Sequence, residues 1–222
     1  MLGREGEGHI AAVGDSVTGF KVGDRVAYLG EGAQQEYAAV DSIRVARIPD
    51  GLPEGIGAAS LLQGLTAITF AREAYHVQKG DFVLVHAAAG GVGLWLVQIA
   101  SALGARVIAT ASTPEKLTIA KENGAEFLIN YSNTVWHDEV LKIMKGNGDE
   151  VAAVFDGVGK DTFEGDLEVL GRKGTLVNYG NASGMVPPFS IARLSAKNIK
   201  LLRPQLYPYI RWFPFPGHDI VY

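Results

Sequence analysis

The sequence predicts an α/β fold in which a doubly wound parallel sheet follows a smaller, incomplete β lobe. Three observations point there. The runs Phe82–Ala87, Arg106–Ala111, Phe127–Tyr131, Ala152–Val158, Gly174–Gly180 and Ile199–Leu206 are largely apolar, without the alternation of a half-exposed strand. Most of them are separated by stretches with helical apolar spacing, at about Gly91–Leu103, Pro114–Asn123, Thr134–Lys145 and Asp161–Leu170. Apolar strands that alternate with helices imply a parallel sheet covered on both faces. Third, the first of these strands breaks into the glycines of "AAAGGVG" and then directly into a helix-like run.

The elements follow in order. Up to about Ala59, "HIAAVG", "DRVAYLG", "EYAAVD" and "VARIPDG" are brief apolar runs punctuated by Gly, Asp and Pro. That is the rhythm of a small antiparallel barrel or sandwich. Ala58–Tyr75, "AASLLQGLTAITFAREAY", has helical spacing and is expected to bridge two lobes. The strand–helix alternation begins after it. The expected divisions are a β lobe at 1–62, a nucleotide-binding domain at 63–207 and an irregular tail at 208–222. The tail's "RWFPFPGHDIVY" has no readable periodicity.

Composition narrows the function. The chain has 222 residues, 47% hydrophobic and 20% charged, as in an ordinary soluble globular protein. A formal net charge of −4 and no cluster of Lys and Arg argue against nucleic acid as the main partner. There is no cysteine, which excludes disulfides and thiolate metal ligands. The five histidines show no ligand spacing, so no metal is expected. His76 reads as a surface residue at a helix end. The start, "MLGREGEGHI", has no signal pattern. Gly90, Gly91, Gly93, Gln98, Ser101 and Arg106 interrupt the apolar stretch from Phe82 to Ala111, which argues against a membrane helix. A cytoplasmic protein is expected.

Ala87, Gly90 and Gly93 form A-x-x-G-x-x-G between the first strand of the alternating region and its first helix. A pyrophosphate needs small residues where the backbone approaches it, and a helix N-terminus offers it unpaired N–H groups and a positive dipole end. The glycine pattern alone is weak; its place inside a strand–helix–strand unit makes it a dinucleotide site. The competing reading is a merely tight turn.

The second strand ends "IATASTPEKL". NAD sites usually carry an acid about twenty residues after the glycines for the ribose 2′-hydroxyl. Here the tip offers Ser112, Thr113 and Lys116, with Glu115 the only acid, and Tyr131 ends the neighbouring strand. Hydroxyls followed by an amine suit a 2′-phosphate, which favours NADP. The competing readings are a helix N-cap at Ser112–Thr113–Pro114 and a solvated face at Lys116. Further strand ends carry "FDGVG" and "NYGNASG". There Gly157, Gly159 and Gly180 allow close approach, and Asn181 and Ser183 offer hydrogen bonds to a carboxamide or ribose.

Together, "FKVGDRVAY", "LLQGLTA", "KGDFVLVHAAAGGVGLWLVQIA", "DGVGKDTF", "YGNASG" and "LLRPQL" resemble the zeta-crystallin-like quinone oxidoreductases, the zinc-free branch of the medium-chain dehydrogenase/reductase superfamily, and most closely its fungal members. The resemblance covers Met1 to Ile210. It implies a GroES-like lobe beside a Rossmann domain, NADPH as cofactor, and reduction of quinones or related enones. By resemblance, Gly90, Gly91 and Gly93, with Ala89 and Val92 beside them, fall at the pyrophosphate. Lys116 and Tyr131, with Ser112 nearby, fall at the 2′-phosphate. Thr66, Asn181 and Ser183 fall near the nicotinamide and its ribose, and Gly157 belongs to the same cofactor set. The family pairs its last strands across a two-fold axis, so a homodimer through Ile199–Leu206 is expected.

The chain departs from that family at both ends. Members begin with roughly sixty further residues and continue well past "RPQLYPYI", so this chain reads as truncated and its turnover is expected to be impaired. No general acid or base can be named, and no catalytic residue is assigned. A quinone is a good acceptor, for which positioning and exclusion of water suffice. The alternatives are another zinc-free reductase of the enoyl reductase type, or a non-catalytic protein that binds NADPH or RNA.

Overall fold

The computed structural model describes residues 2–210 and 220–221. Two compact units divide the chain, Met1–Thr66 with Leu206–Tyr222, and Ala67–Gln205.

In the first unit the strands are β1 (Glu5–His9), β2 (Arg25–Leu29), β3 (Val40–Asp41) and β4 (Val45–Arg47). β1, β2 and β4 form an antiparallel sheet in that order. Ile10 and Val26 centre a small core against Val13, Val17, Phe20 and Val45. The expected strand at "HIAAVG" is displaced: β1 is the polar "EGEGH" just before it. Its acids are used internally. The Glu7 carboxylate accepts from Arg25 Nε at 3.1 Å and from the N–H groups of Gly55 and Ala58 at 3.1 and 3.3 Å. Glu5 accepts from the Leu62 N–H at 2.9 Å. These bonds tie the strand to the start of helix α1 (Ile56–Thr69), and a carboxylate so supplied with donors tolerates removal from water.

The boundary between the units falls within α1. The helix does not continue regularly to Tyr75; Phe70–Ala74 is a π-helical turn. The second unit then runs β5 (Phe82–Val85), α2 (Gly91–Ala102), β6 (Arg106–Ala111), α3 (Pro114–Glu122), β7 (Phe127–Asn130), α4 (Trp136–Asn147), β8 (Val151–Asp156), α5 (Phe163–Val169), β9 (Leu170–Asn178) and β10 (Lys200–Leu202). Every neighbouring pair is parallel, in the order β10-β9-β8-β5-β6-β7.

Both faces of this sheet are covered, which is why its strands are apolar along their length. Val83, Val85, Val107, Ala109 and Phe155 pack on one side with Phe70, Leu96, Val97 and Ala100. Phe82, Leu84, Ile108, Val154 and Leu176 pack on the other with Val140, Met144 and Leu167. Each large side chain so buried contributes about 1.5–3 kcal/mol.

Two boundaries differ from expectation. β9 begins at Leu170, directly after α5, because "GRKG" is a bulge inside the strand. Val151 pairs with Leu170 and Ala153 with Thr175, and Lys173 takes a φ of 62°. β10 stops at Leu202, short of the expected Leu206. Pro204 has no N–H to give a sheet, and Leu206–Ile210 instead forms the short helix α6. Beyond it, β11 (Ile220–Val221) pairs antiparallel with β3. Residues 211–219 and 222 of the expected irregular tail lie outside the described residues.

Candidate functional site

The order β10-β9-β8-β5-β6-β7 winds outward from β5 to β7 and then returns through β8 to β10. The direction of winding therefore reverses between β5 and β8. In open parallel sheets a ligand crevice opens at such a point, beyond the carboxyl ends of the strands. The glycine turn follows β5 and stands at that crevice.

The turn is built by backbone contacts. Ala87 takes a left-handed φ of 49°, and its carbonyl accepts from the Gly90 N–H at 2.8 Å. Gly93 lies in the first turn of α2 against that carbonyl, where a Cβ would stand 2.3 Å from the Ala87 oxygen. Any larger residue at Gly93 would push helix from strand. Gly90 is the N-cap of α2 and supplies no side-chain cap. Among the described residues, the N–H groups of Gly91, Val92 and Gly93 find no acceptor, while Leu94 returns to Gly90 O at 2.8 Å. Gly91, Val92 and Gly93 thus present bare N–H groups at a positive helix end, with the small Ala89 and Gly90 beside them, a cradle suited to a pyrophosphate.

Next along the edge, the β6 tip carries Ser112. Lys116 Nζ donates to Ser112 Oγ at 3.2 Å from one turn along α3. The Tyr131 N–H reaches Ala111 O at 3.2 Å and the Ser132 hydroxyl reaches Ser112 O at 2.9 Å, so the β7 end lies against the same tip. Tyr131 is 44% exposed. Ser112, Lys116 and Tyr131 therefore share one exposed corner. Thr113 is the N-cap of α3, its hydroxyl accepting from the Lys116 N–H. Glu115 is held below the usual carboxylate range by its own backbone N–H and by the Thr113 hydroxyl.

On the other side, the loops after β8 and β9 meet closely: a Cβ on Gly180 would stand 2.2 Å from Gly157 O. Asn181 is exposed beside them. Ser183 is committed internally, its hydroxyl donating to Val158 O at 2.9 Å and accepting from the Asp161 N–H at 3.0 Å. Thr66 belongs to the first unit, where its hydroxyl donates to Leu62 O at 2.5 Å. Two hollows lie elsewhere, one of about 170 Å³ beside Glu7, His9 and Tyr28, and one of about 210 Å³ beside Met144 and Arg172. Neither touches the glycine turn.

Sequence reasoning missed a buried polar cluster under this edge. Asp156 ends β8 fully buried, and its carboxylate accepts from the N–H groups of Val158 (2.7 Å) and Gly159 (3.1 Å), Thr162 Oγ1 (2.9 Å) and Asn178 Nδ2 (2.6 Å). Arg203, just past β10, donates to the Asn178 side-chain oxygen and to Gly180 O at 2.9 Å. Beside Asp156, the buried His86 is hydrogen-bonded through Nε2 to Asp166 Oδ1 at 2.8 Å and through Nδ1 to Thr110 Oγ1 at 2.9 Å. A lone acid ending an apolar strand in "FDGVG" was the available signal, since a buried carboxylate must collect donors.

This cluster sets a pH dependence. Burial, aided by Asp156, pushes Asp166 from 3.8 up to about 7 against the pull of His86. Burial opposes charge on His86, but Asp166 and Asp156 outweigh it and raise its pKa above 6.5. Both groups bind protons more tightly folded than unfolded. Their stabilisation is complete below the ordinary values, and is lost for Asp166 as pH rises towards about 7 and for His86 above about 6.5. Glu126 and Glu164, held low by Arg106 and Arg193, work oppositely but only in the acid range. The Tm is expected to fall between about pH 5.5 and 8, and Asp166→Asn to flatten the fall; about 1 kcal/mol corresponds to roughly 2–4 °C in a chain this size. A wild-type Tm that rises over this range would contradict the assignment.

Fold and site together define an α/β nucleotide-binding protein with an attached antiparallel β unit. Residues 91–212 match the family model "Zinc-binding dehydrogenase", and residues 1–50 match "Alcohol dehydrogenase GroES-like domain". The chain belongs to the zinc-binding dehydrogenase family, within the medium-chain dehydrogenase/reductase superfamily. It is 46% identical over 212 residues to a probable quinone oxidoreductase of Schizosaccharomyces pombe, matching 94% of this chain and 63% of the relative. A Pseudomonas syringae quinone oxidoreductase structure superposes with a TM-score of 0.87 at 40% identity, covering 95% of this chain and 65% of that one. The Escherichia coli quinone oxidoreductase complexed with NADPH also gives 0.87, at 36% identity, covering 94% and 64%. The chain thus spans somewhat less than two thirds of the length of these relatives. The resemblance to quinone oxidoreductases and the GroES-like and Rossmann-like architecture expected from the sequence hold. The family name implies zinc, and the donor set does not fit it. The sequence has no cysteine, and no group of three His, Asp or Glu side chains among the described residues is placed to hold a metal.

Proposed function

We propose that this chain is an NADPH-dependent quinone reductase that uses quinones or related enones as acceptors. The observation that carries the reading is the glycine turn at the point where the sheet's winding reverses, with the Lys116–Ser112 pair one strand away. In this reading Gly91, Val92 and Gly93 hold the pyrophosphate through backbone N–H groups, with Ala89 and Gly90 letting it approach. Lys116, Ser112 and Tyr131 take the 2′-phosphate. The loops bearing Gly157 and Asn181 border the nicotinamide end. Ser183 acts by shaping those loops, because its hydroxyl is already engaged. Thr66 is proposed near the nicotinamide by family resemblance. NADPH, when bound, supplies the hydride or electrons, and the chain's own part is to bind and orient it and exclude water. Quinone-dependent loss of reduced-nicotinamide absorbance tests this. Slow, impaired oxidation of NADPH with 1,4-benzoquinone is expected; no oxidation above the protein-free rate at saturating NADPH would overturn the assignment and leave the non-catalytic reading.

We also infer a homodimer in the cytoplasm. β10 is a sheet edge with Leu202 36% exposed, and an unpaired apolar edge invites strand addition. Sedimentation as a monomer at micromolar concentration would count against it.

A further inference from the structure

His86 occupies the position between β5 and the left-handed Ala87, so its backbone leads directly into the glycine turn. The residue is 1% exposed, and its ring is held on three sides. Nδ1 bonds to Thr110 of β6, Nε2 bonds to Asp166 of α5, and the Trp136 ring of α4 stands edge-on at 4.6 Å. Its backbone N–H reaches Phe155 O of β8 at 3.1 Å, and the Ala88 N–H reaches Thr110 O at 3.0 Å. Asp166 is fully buried with the Asp156 carboxyl beside it, an expensive arrangement for residues whose only task is packing. Apolar side chains at both positions would fill the same space without desolvating a carboxylate.

We infer that His86 is a positioning residue for the dinucleotide. Its ring, fixed between Thr110 and Asp166, sets the backbone of Ala87 and through it the direction of the Gly91, Val92 and Gly93 N–H groups. The Ala87 carbonyl is the contact that transmits this, since it accepts from Gly90 and abuts Gly93. The inference rests on the proposal that this turn binds a dinucleotide pyrophosphate. The pyrophosphate is common to NADPH and NADH, so a displaced turn must weaken both alike, unlike a change at the 2′-phosphate corner.

The test uses the whole chain and titrates NADPH and NADH by fluorescence. His86→Leu is expected to weaken both cofactors by roughly tenfold, the worth of about one hydrogen bond. It should also move the amide resonances of Gly91, Val92 and Gly93. His86→Gln, which places a polar group near the Nε2 position, should recover most of the affinity. Thr110→Val removes only the Nδ1 partner at nearly constant volume; it should weaken both cofactors several-fold and serves where His86→Leu does not fold. Unchanged affinities in a folded His86→Leu or Thr110→Val protein, with only a lowered Tm, would overturn the inference and leave the binding site standing. If wild type binds neither cofactor, the binding site falls and this inference falls with it.

Discussion

Asp156→Ala is expected to lower stability by about 3–5 kcal/mol, the range for breaking a buried charged network, and so to reduce Tm by roughly 6–20 °C. The carboxylate is fully buried and collects donors from Val158, Gly159, Thr162 and Asn178. Alanine would leave them facing a dry cavity, and each unsatisfied donor costs about 1–3 kcal/mol. The damage should spread across the sheet edge. Asn178 would lose its anchor, and with it the hold of Arg203, which also reaches Gly180 O. Asp156→Asn keeps one oxygen but turns an amide towards donors, so an intermediate loss is expected. Thermal unfolding monitored by circular dichroism checks both. A Tm within about 2 °C of wild type for the alanine variant would show that the network does not hold these loops.

Lys116→Ala is expected to weaken NADPH by roughly 10- to 150-fold, since a charge-assisted contact is worth about 1.5–3 kcal/mol and about 1.4 kcal/mol is tenfold. NADH, lacking the 2′-phosphate, should barely respond. The ammonium is exposed and already turned to Ser112 Oγ at 3.2 Å, so little reorganisation is needed to receive a phosphate there. Tyr131→Phe should act in the same direction but less, because it removes one neutral hydrogen bond. If Lys116 were only a solvated residue on α3, neither cofactor would change. Equal losses for both would place it away from the 2′ position.

These two residues show what the sequence made legible. Lys116 follows a strand tip and opens a helix, so local spacing alone placed it beside Ser112. The strands could be read because two-sided burial leaves a continuous apolar run, as in Phe82–Val85. The glycine turn could be read because Gly93 has no room for a Cβ. Asp156 was different: its donors come from β9 and from the loop after β8, a convergence that pairwise spacing does not show. The same holds for His86, whose partners Thr110 and Asp166 lie 24 and 80 residues away. β1 was misplaced because its acids are satisfied by Arg25 and by groups around the start of α1, so a polar run became a part-buried strand. Pro204 was a readable stop for β10, and the apolar pattern running past it outweighed that signal.

Calorimetric titration of the wild-type chain with NADPH and with NADH tests the central claim most directly. A glycine turn that holds the pyrophosphate and a Lys116–Ser112 corner that holds the 2′-phosphate predict binding of both cofactors. NADPH should be the tighter by at least about tenfold, and the preference should shrink as added salt screens the exposed ammonium. Equal affinities, or no binding of either, would contradict it.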